Sequence, residues 1–282
     1  TRNPVLVAMA NQWRGQLRGP LGTLLNIGRR RDEERDPPPP LPNLRAPRVP
    51  FNATITPHRR FAFRSTSLDD VKAIKNAVGA TVNDVVMAVC AGALRSYLID
   101  HNALPAAPLV AMVPVSIRTG EETEKWTNRV SGLLANLPTD EDDPLARIAK
   151  VHEAMNSSKD LFNAVPASTL TDFAQFPSPA VFTRATRMAT RLRLMERMPV
   201  FNLVVSNVPG PRQPLYSAGA RLLHYYPVST IVDGQGLNIT VQSYLDTLDF
   251  GLVACRELVP DLDHLADLLV EELALLGKVT GT

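Results

Sequence analysis

Cysteine is nearly missing from this 282-residue chain. Only Cys90 and Cys255 occur, each inside an apolar periodic segment, and both are expected as buried thiols of a reducing compartment rather than as a disulfide. An excess of either charge is missing too. Lys+Arg number 30 against 28 Asp+Glu, a formal net charge of +2, which leaves no electrostatic footprint for nucleic acid. No apolar run approaches the length of a membrane span, and Val5 to Ala10 is too short for the core of a signal peptide. A cytoplasmic protein is therefore expected, unless it rides on a membrane surface. Self-contained catalytic signatures are also lacking: there is no Gly-x-Ser-x-Gly elbow, no Walker loop and no His-Glu-x-x-His pair, and Gly234-Gln235-Gly236 is not a dinucleotide fingerprint. The five histidines, His58, His101, His152, His224 and His264, stand apart without metal-ligand spacing, so no metal site is expected. His224, beside Tyr225 and Tyr226, reads as a satisfied structural residue.

Apolar residues, by contrast, make up 45% of the chain, ample for a core. The most informative stretch runs from Val200 to Cys255. Phe201 to Val208 is apolar on both faces, as a central strand covered on both sides would be. In Gly236 to Tyr244, Leu237, Ile239 and Val241 alternate with Asn238, Thr240, Gln242 and Tyr244, so one face is greasy and the other can hydrogen-bond. Leu248, Phe250, Leu252 and Ala254 alternate on the next strand, and Leu245-Asp246-Thr247 is short enough to be a hairpin connection.

Upstream, Asn3-Pro4 opens a helical segment over residues 1–35 that reads as the continuation of a preceding domain. Prolines then crowd residues 36–50, an extended connector either looping out or crossing between domains, and residues 51–282 form the main domain. Within it, strand character is expected for Phe51 to Thr66, Leu109 to Ile117 and Val130 to Leu137. Helices are expected for Ser67 to Val78 and Asp142 to Asn156, and for a segment capped by Asp261 and stopped by Gly277. Thr81 and Asp84 make a capping-box variant at the start of a broadly apolar helix, which explains Asp84 but leaves Asn83 free for a functional cavity. A further helix opened by Ser178-Pro179 carries Arg184, Arg187 and Arg191 on one stripe; such a stripe is solvated surface, or else meets anionic lipid headgroups or a phosphate-bearing ligand.

Several stretches resemble a known family. Thr81-Val82-Asn83-Asp84, Val113-Pro114-Val115-Ser116-Ile117-Arg118, Asn128-Arg129-Val130-Ser131, Ser206-Asn207-Val208-Pro209-Gly210-Pro211 and Gly236 to Tyr244 look like the C-terminal half of bacterial wax ester synthase/diacylglycerol acyltransferases. The similarity covers roughly 51–277 and keeps the motif order. It implies an α/β fold, a chloramphenicol-acetyltransferase-like sandwich whose mixed, mostly antiparallel sheet is covered by helices. It also implies an acyl-CoA-dependent O-acyltransferase that makes triacylglycerol from diacylglycerol or wax ester from a long-chain alcohol.

The family's catalytic His-His-x-x-x-Asp-Gly motif is not in this sequence; Val232-Asp233-Gly234 lacks the histidines. The resemblance therefore implies that no catalytic residue lies in this chain and that an N-terminal half of the same enzyme is its partner and supplies the base. It also implies long-chain acyl-CoA as a substrate, with no cofactor, and contact with a membrane or lipid-droplet surface. What is left to this chain is positioning the acyl group and donating hydrogen bonds to the oxyanion. By match to the family motifs, the substrate-binding or oxyanion residues are Ser206, Asn207, Asn83, Asn238, Thr240 and Gln242. Two other readings stay open: a non-catalytic lipid-binding or membrane-surface module of the same fold, and a condensation-type half acting on an amine acceptor.

Overall fold

The computed structural model describes residues 46–116, 130–164 and 199–282. The 1–35 segment, residues 36–45 of the Pro-rich connector, residues 117–129 and the arginine stripe lie outside the described residues. A six-stranded sheet is built from β1 (Arg59–Ser67), β2 (Leu109–Ser116), β3 (Val130–Leu137), β4 (Leu203–Val208), β7 (Leu237–Tyr244) and β8 (Thr247–Cys255), in the order β1-β8-β7-β4-β2-β3. A small hairpin, β5 (Tyr216–Ser217) with β6 (Ala220–Arg221), stands on the long connection between β4 and β7. β4 pairs in parallel with both β2 and β7, and the other pairings are antiparallel. The mixed, mostly antiparallel sheet expected from the sequence is thus present, with the two-sided apolar strand at its centre.

Helices α1 (Leu68–Val78), α2 (Val82–Asp100), α3 (Pro144–Ala164) and α4 (Leu262–Thr280) complete the domain. Ser67 caps α1 by accepting from the amides of Asp69 and Asp70, and Gly79 ends it at φ 68°. The capping box of α2 is complete: Thr81 Oγ1 accepts from the Asp84 amide, and Asp84 Oδ2 accepts from the Thr81 amide. α2 packs against all three other helices and is buried almost all round. It is long and apolar enough to cross a membrane, which the sequence reading missed, but 72% of that window is buried here, as in a core helix.

Alternation along the strands sorts the two faces of the sheet. Leu237, Ile239 and Val241 join Leu248, Phe250, Leu252 and Ala254 in the main core beneath the helices. Burying each of the larger of these side chains stabilises the fold by about 1.5–3 kcal/mol. The turn between the last two strands is the residue pair Leu245-Asp246, with Leu245 at φ 52°. Arg147 of α3 and Glu272 of α4 form a buried ion pair, and Gly92 of α2 leaves the room for it, because a Cβ there would overlap both side chains.

Two helix ends depart from the sequence reading. Asp261 precedes α4 but makes no side-chain cap; its carboxylate accepts from the Tyr97 hydroxyl at 2.6 Å instead. Gly277 sits inside α4, and the helix ends at Gly281, whose φ of 72° supplies the left-handed stop. Strand β1 also begins later than expected, because residues 51–58 serve another purpose. Phe51 is buried, and Asn52 Nδ2 donates to the carbonyls of Asn202 and Gly234. Asn202 in turn accepts from the Val110 amide and donates to Pro47 O and Asn52 Oδ1. These two buried asparagines fasten the end of the proline-rich stretch to β2 and to the turn before β7.

Candidate functional site

β4 ends in Asn207-Val208 and runs into the turn Pro209-Gly210-Pro211. This turn presses on the end of β7: the Gly210 amide donates to Ser243 Oγ at 3.0 Å, and a Cβ at Gly210 would overlap the Ser243 carbonyl. The close approach that the glycine permits is thus made by another piece of backbone. At the same end of the sheet lie the first turns of α1 and α2. Between these elements opens a cleft of about 680 Å³, lined by Leu68, Lys72 and Thr81–Asn83 on one side and by Asn207, the Pro209–Arg212 turn, Ser243, Leu245 and Leu248 on the other. Its size falls within the range of roughly 300–1,000 Å³ usual for small-molecule sites.

Asn83 and Asn207 meet at this cleft, with Asn207 Nδ2 directed at Asn83 Oδ1 at 3.5 Å. The Asn83 Nδ2 hydrogens have no partner among the described residues. Asn83 is held by the structure beneath it. Asp84, 1% exposed, accepts from the Thr81 amide and sits 2.7 Å from His152 Nδ1 on α3. Burial alone would raise the Asp84 pKa, but the hydrogen bonds with His152 and Thr81 outweigh it and hold the carboxyl below its ordinary value. A charged Asp84 therefore fixes the first turn of α2, which positions Asn83.

The other four sequence-predicted residues lie elsewhere. Ser206 is opposite Thr240 in the β4–β7 register, Val204 is opposite Asn238 and Val208 is opposite Gln242. This row lies on the sheet face turned away from the helices and does not line the cleft. Two of its polar residues are dry: Asn238 is 1% exposed and Thr240 6%, and Thr240 Oγ1 donates to Asn238 Oδ1 at 2.7 Å. The segment between β4 and β7 crosses this face. Pro227 O lies so close to Gly251 that a Cβ there would overlap it. The Tyr244 hydroxyl accepts from the Leu215 amide and donates to Leu222 O. Asp249, fully buried, accepts from Ser65 Oγ at 2.6 Å and from the Tyr225 amide at 2.7 Å, with His224 Nδ1 at 3.2 Å. His224 is the satisfied structural residue that the sequence suggested. Ser65 and Asp249 both crowd its Nδ1, which is not the geometry of a relay through the two ring nitrogens.

Sequence reasoning missed Lys72, Arg212 and Ser243 as cleft residues and His152 as the partner of Asp84. His152 stands 68 positions from Asp84, and no local pattern records such a contact. Arg212 follows directly on the Pro209-Gly210-Pro211 turn, a local cue in the sequence. Cys90 and Cys255 are both buried and free, and burial pushes the Cys90 thiol up to about 12. Among the described residues, no group of three metal-ligating side chains comes together.

Comparison with known proteins adds independent information. The family described as "WS/DGAT C-terminal domain" matches residues 126–277, and the "Wax ester synthase/diacylglycerol acyltransferase catalytic domain" matches residues 1–86. The O-acyltransferase WSD of Acinetobacter baylyi is 42% identical over 237 residues, covering 84% of this chain and 50% of that protein. A putative diacylglycerol O-acyltransferase of Mycobacterium tuberculosis is 44% identical over 237 residues, covering 84% of this chain and 52% of its own length. Among solved structures, a wax ester synthase/diacylglycerol acyltransferase from Marinobacter aquaeolei VT8 superposes with a TM-score of 0.69 at 39% identity, over 84% of this chain and 53% of that one. The starter condensation domain of rhizomide synthetase shares the fold, with a TM-score of 0.51 at 13% identity, over 85% of this chain and 49% of that one. The chain spans about half the length of the relatives it matches. Lys72 and Thr81–Asn83 belong to the segment matching the catalytic-domain family, whereas Asn207, Arg212 and Ser243 belong to the segment matching the C-terminal-domain family.

Proposed function

Because the chain belongs to the wax ester synthase/diacylglycerol acyltransferase family, we propose that it forms one wall of an acyl-CoA-dependent O-acyltransferase making triacylglycerol from diacylglycerol or wax ester from a long-chain alcohol. The observation that carries this reading is the Asn83–Asn207 pair at a cleft built from both family-matching segments. The base comes from the His-His-x-x-x-Asp-Gly motif of a companion N-terminal half. It takes the proton of the acceptor hydroxyl as the oxygen attacks the thioester carbon. The tetrahedral oxyanion collapses by expelling the CoA thiolate, which takes up the proton, leaving an ester and free CoA.

Asn83 Nδ2 is the group in this chain suited to donate to that oxyanion. Asn207 is a positioning residue, because its own amide engages Asn83 Oδ1 and turns the Nδ2 hydrogens toward the cleft. Ser206, Asn238, Thr240 and Gln242 are assigned to the polar wall behind the site. The water-insoluble acceptors favour work at the cytoplasmic membrane face or at lipid droplets.

The test assays the natural full-length polypeptide carrying this sequence with long-chain acyl-CoA and three acceptors side by side: diacylglycerol, hexadecanol and a primary amine. Ester formation supports the reading. Amide formation alone would replace it with condensation-type chemistry, and lipid binding without turnover would replace it with a non-catalytic module.

A further inference from the structure

The same cleft has a feature that oxyanion binding does not use. Its rim carries two cations, Lys72 from the second turn of α1 and Arg212 from the turn after β4, and among the described residues no Asp or Glu lines it. Arg212 is exposed and forms no ion pair among the described residues. Lys72, whose side chain is 48% exposed, is paired among the described residues only with Asp69 three positions earlier, at 2.8 Å. An exposed pair of this kind is weak and is readily exchanged for a stronger anion. Deeper in the cleft the lining turns neutral and polar, with Asn83, Asn207 and Ser243 half-buried. Such an arrangement suits an elongated ligand with phosphate groups at one end and an uncharged polar remainder.

We propose that Lys72 and Arg212 bind the phosphorylated nucleotide end of acyl-CoA at the rim, while the pantetheine arm passes inward toward Asn83 and Asn207. This rests on the acyl-CoA reading above. CoA separates its phosphates from its thioester by the length of the pantetheine arm, so one molecule can meet the rim cations and the inner amides together. Asp69 acts as a built-in competitor that occupies Lys72 when the cleft is empty.

The measurement is the ratio of kcat/KM for acyl-CoA to kcat/KM for acyl-pantetheine, which lacks the nucleotide, in the full-length enzyme. Lys72→Ala and Arg212→Ala should each lower this ratio about tenfold, as the loss of one charge-assisted contact does. Lys72→Arg should restore most of it. Asp69→Asn should move the ratio the other way by freeing Lys72, and a general folding defect cannot produce that opposite shift. 3′-Dephospho-CoA separates the 3′-phosphate from the diphosphate as the group recognised. Ratios unchanged in every variant would overturn the proposal. So would variants that lose binding to phosphatidylglycerol vesicles while keeping the ratio, since the cations would then serve a lipid headgroup. If the enzyme turns over no acyl-CoA, the function proposed above fails, and calorimetric titration of CoA against pantetheine on the same variants still decides this site.

Discussion

The two faces of the sheet are built on opposite principles. Toward the helices, β7 and β8 present Leu237, Ile239, Val241, Leu248, Phe250 and Leu252 to one continuous apolar core. On the other side, the same strands present Asn238, Thr240, Gln242 and Asp249, and two of these, Asn238 and Asp249, are as deeply buried as the leucines. The first face is stabilised by area, roughly 25 cal/mol per Å² removed from water, and tolerates changes of shape better than changes of volume. The second gains little from area. It holds the β4–β7 connection through individual bonds, such as the Tyr225 amide to Asp249 and the Tyr244 hydroxyl to Leu222 O, each costly to leave unmade.

That contrast can be broken by substitution. Phe250→Ala should have the largest effect, a loss of about 3–5 kcal/mol in denaturant unfolding, because it opens a cavity in the apolar core. On the cleft side, Asn83→Ala should lower kcat about 10²–10³-fold if its amide meets the oxyanion, with KM for acyl-CoA nearly unchanged. Asn207→Ala should lower kcat less, and Asn207→Gln should restore part of the loss. On the polar face, Thr240→Val should cost about 1–3 kcal/mol despite conserving volume, since Asn238 Oδ1 loses its donor. A cost near zero would mean that this face is held by packing after all.

Two buried carboxyls sharpen the comparison through pH. The folded Asp84 pKa lies below 3.8, so its contribution is complete above that value and is lost as pH falls through the depressed folded pKa. Burial, opposed by Arg147, raises the Glu272 pKa above 4.5, so the native state binds the extra proton and stability declines as pH rises from 4.5 through the raised value. Unfolding measured between pH 3 and 7 should flatten below pH 4 in Asp84→Asn and above pH 4.5 in Glu272→Gln. The smallest effect concerns reactivity: with its thiol near 12 and buried, Cys90 should resist alkylation at pH 8 until the protein is unfolded.

Much of the apolar architecture was legible in the sequence because it repeats locally. The period-2 pattern of β7 and β8, the Thr81/Asp84 box and the hydrophobic β4 each declare themselves within ten residues. The site was half legible. Asn83 and Asn207 were named from motifs and do meet; Ser206 and Asn207, as neighbours on one strand, must face opposite sides, but the sequence did not say which of the two faces the cleft. Asn238 and Thr240 could be read as solvent-facing, because no sequence pattern announces that a distant connection folds over them. The Asn52–Asn202 clasp and the His152–Asp84 contact escaped for the same reason, being made by single polar residues far apart in the chain. Asp261 misled because a residue well suited to capping found a stronger partner in Tyr97.

The strand order also sets a timetable. β1, the first strand described, finds its only neighbour among the described residues in β8, the last, and β4 waits for β7 on one side. On a ribosome, the sheet cannot close until residues up to Cys255 have emerged, so until then the nascent polypeptide presents β1 with an unpaired edge to chaperones.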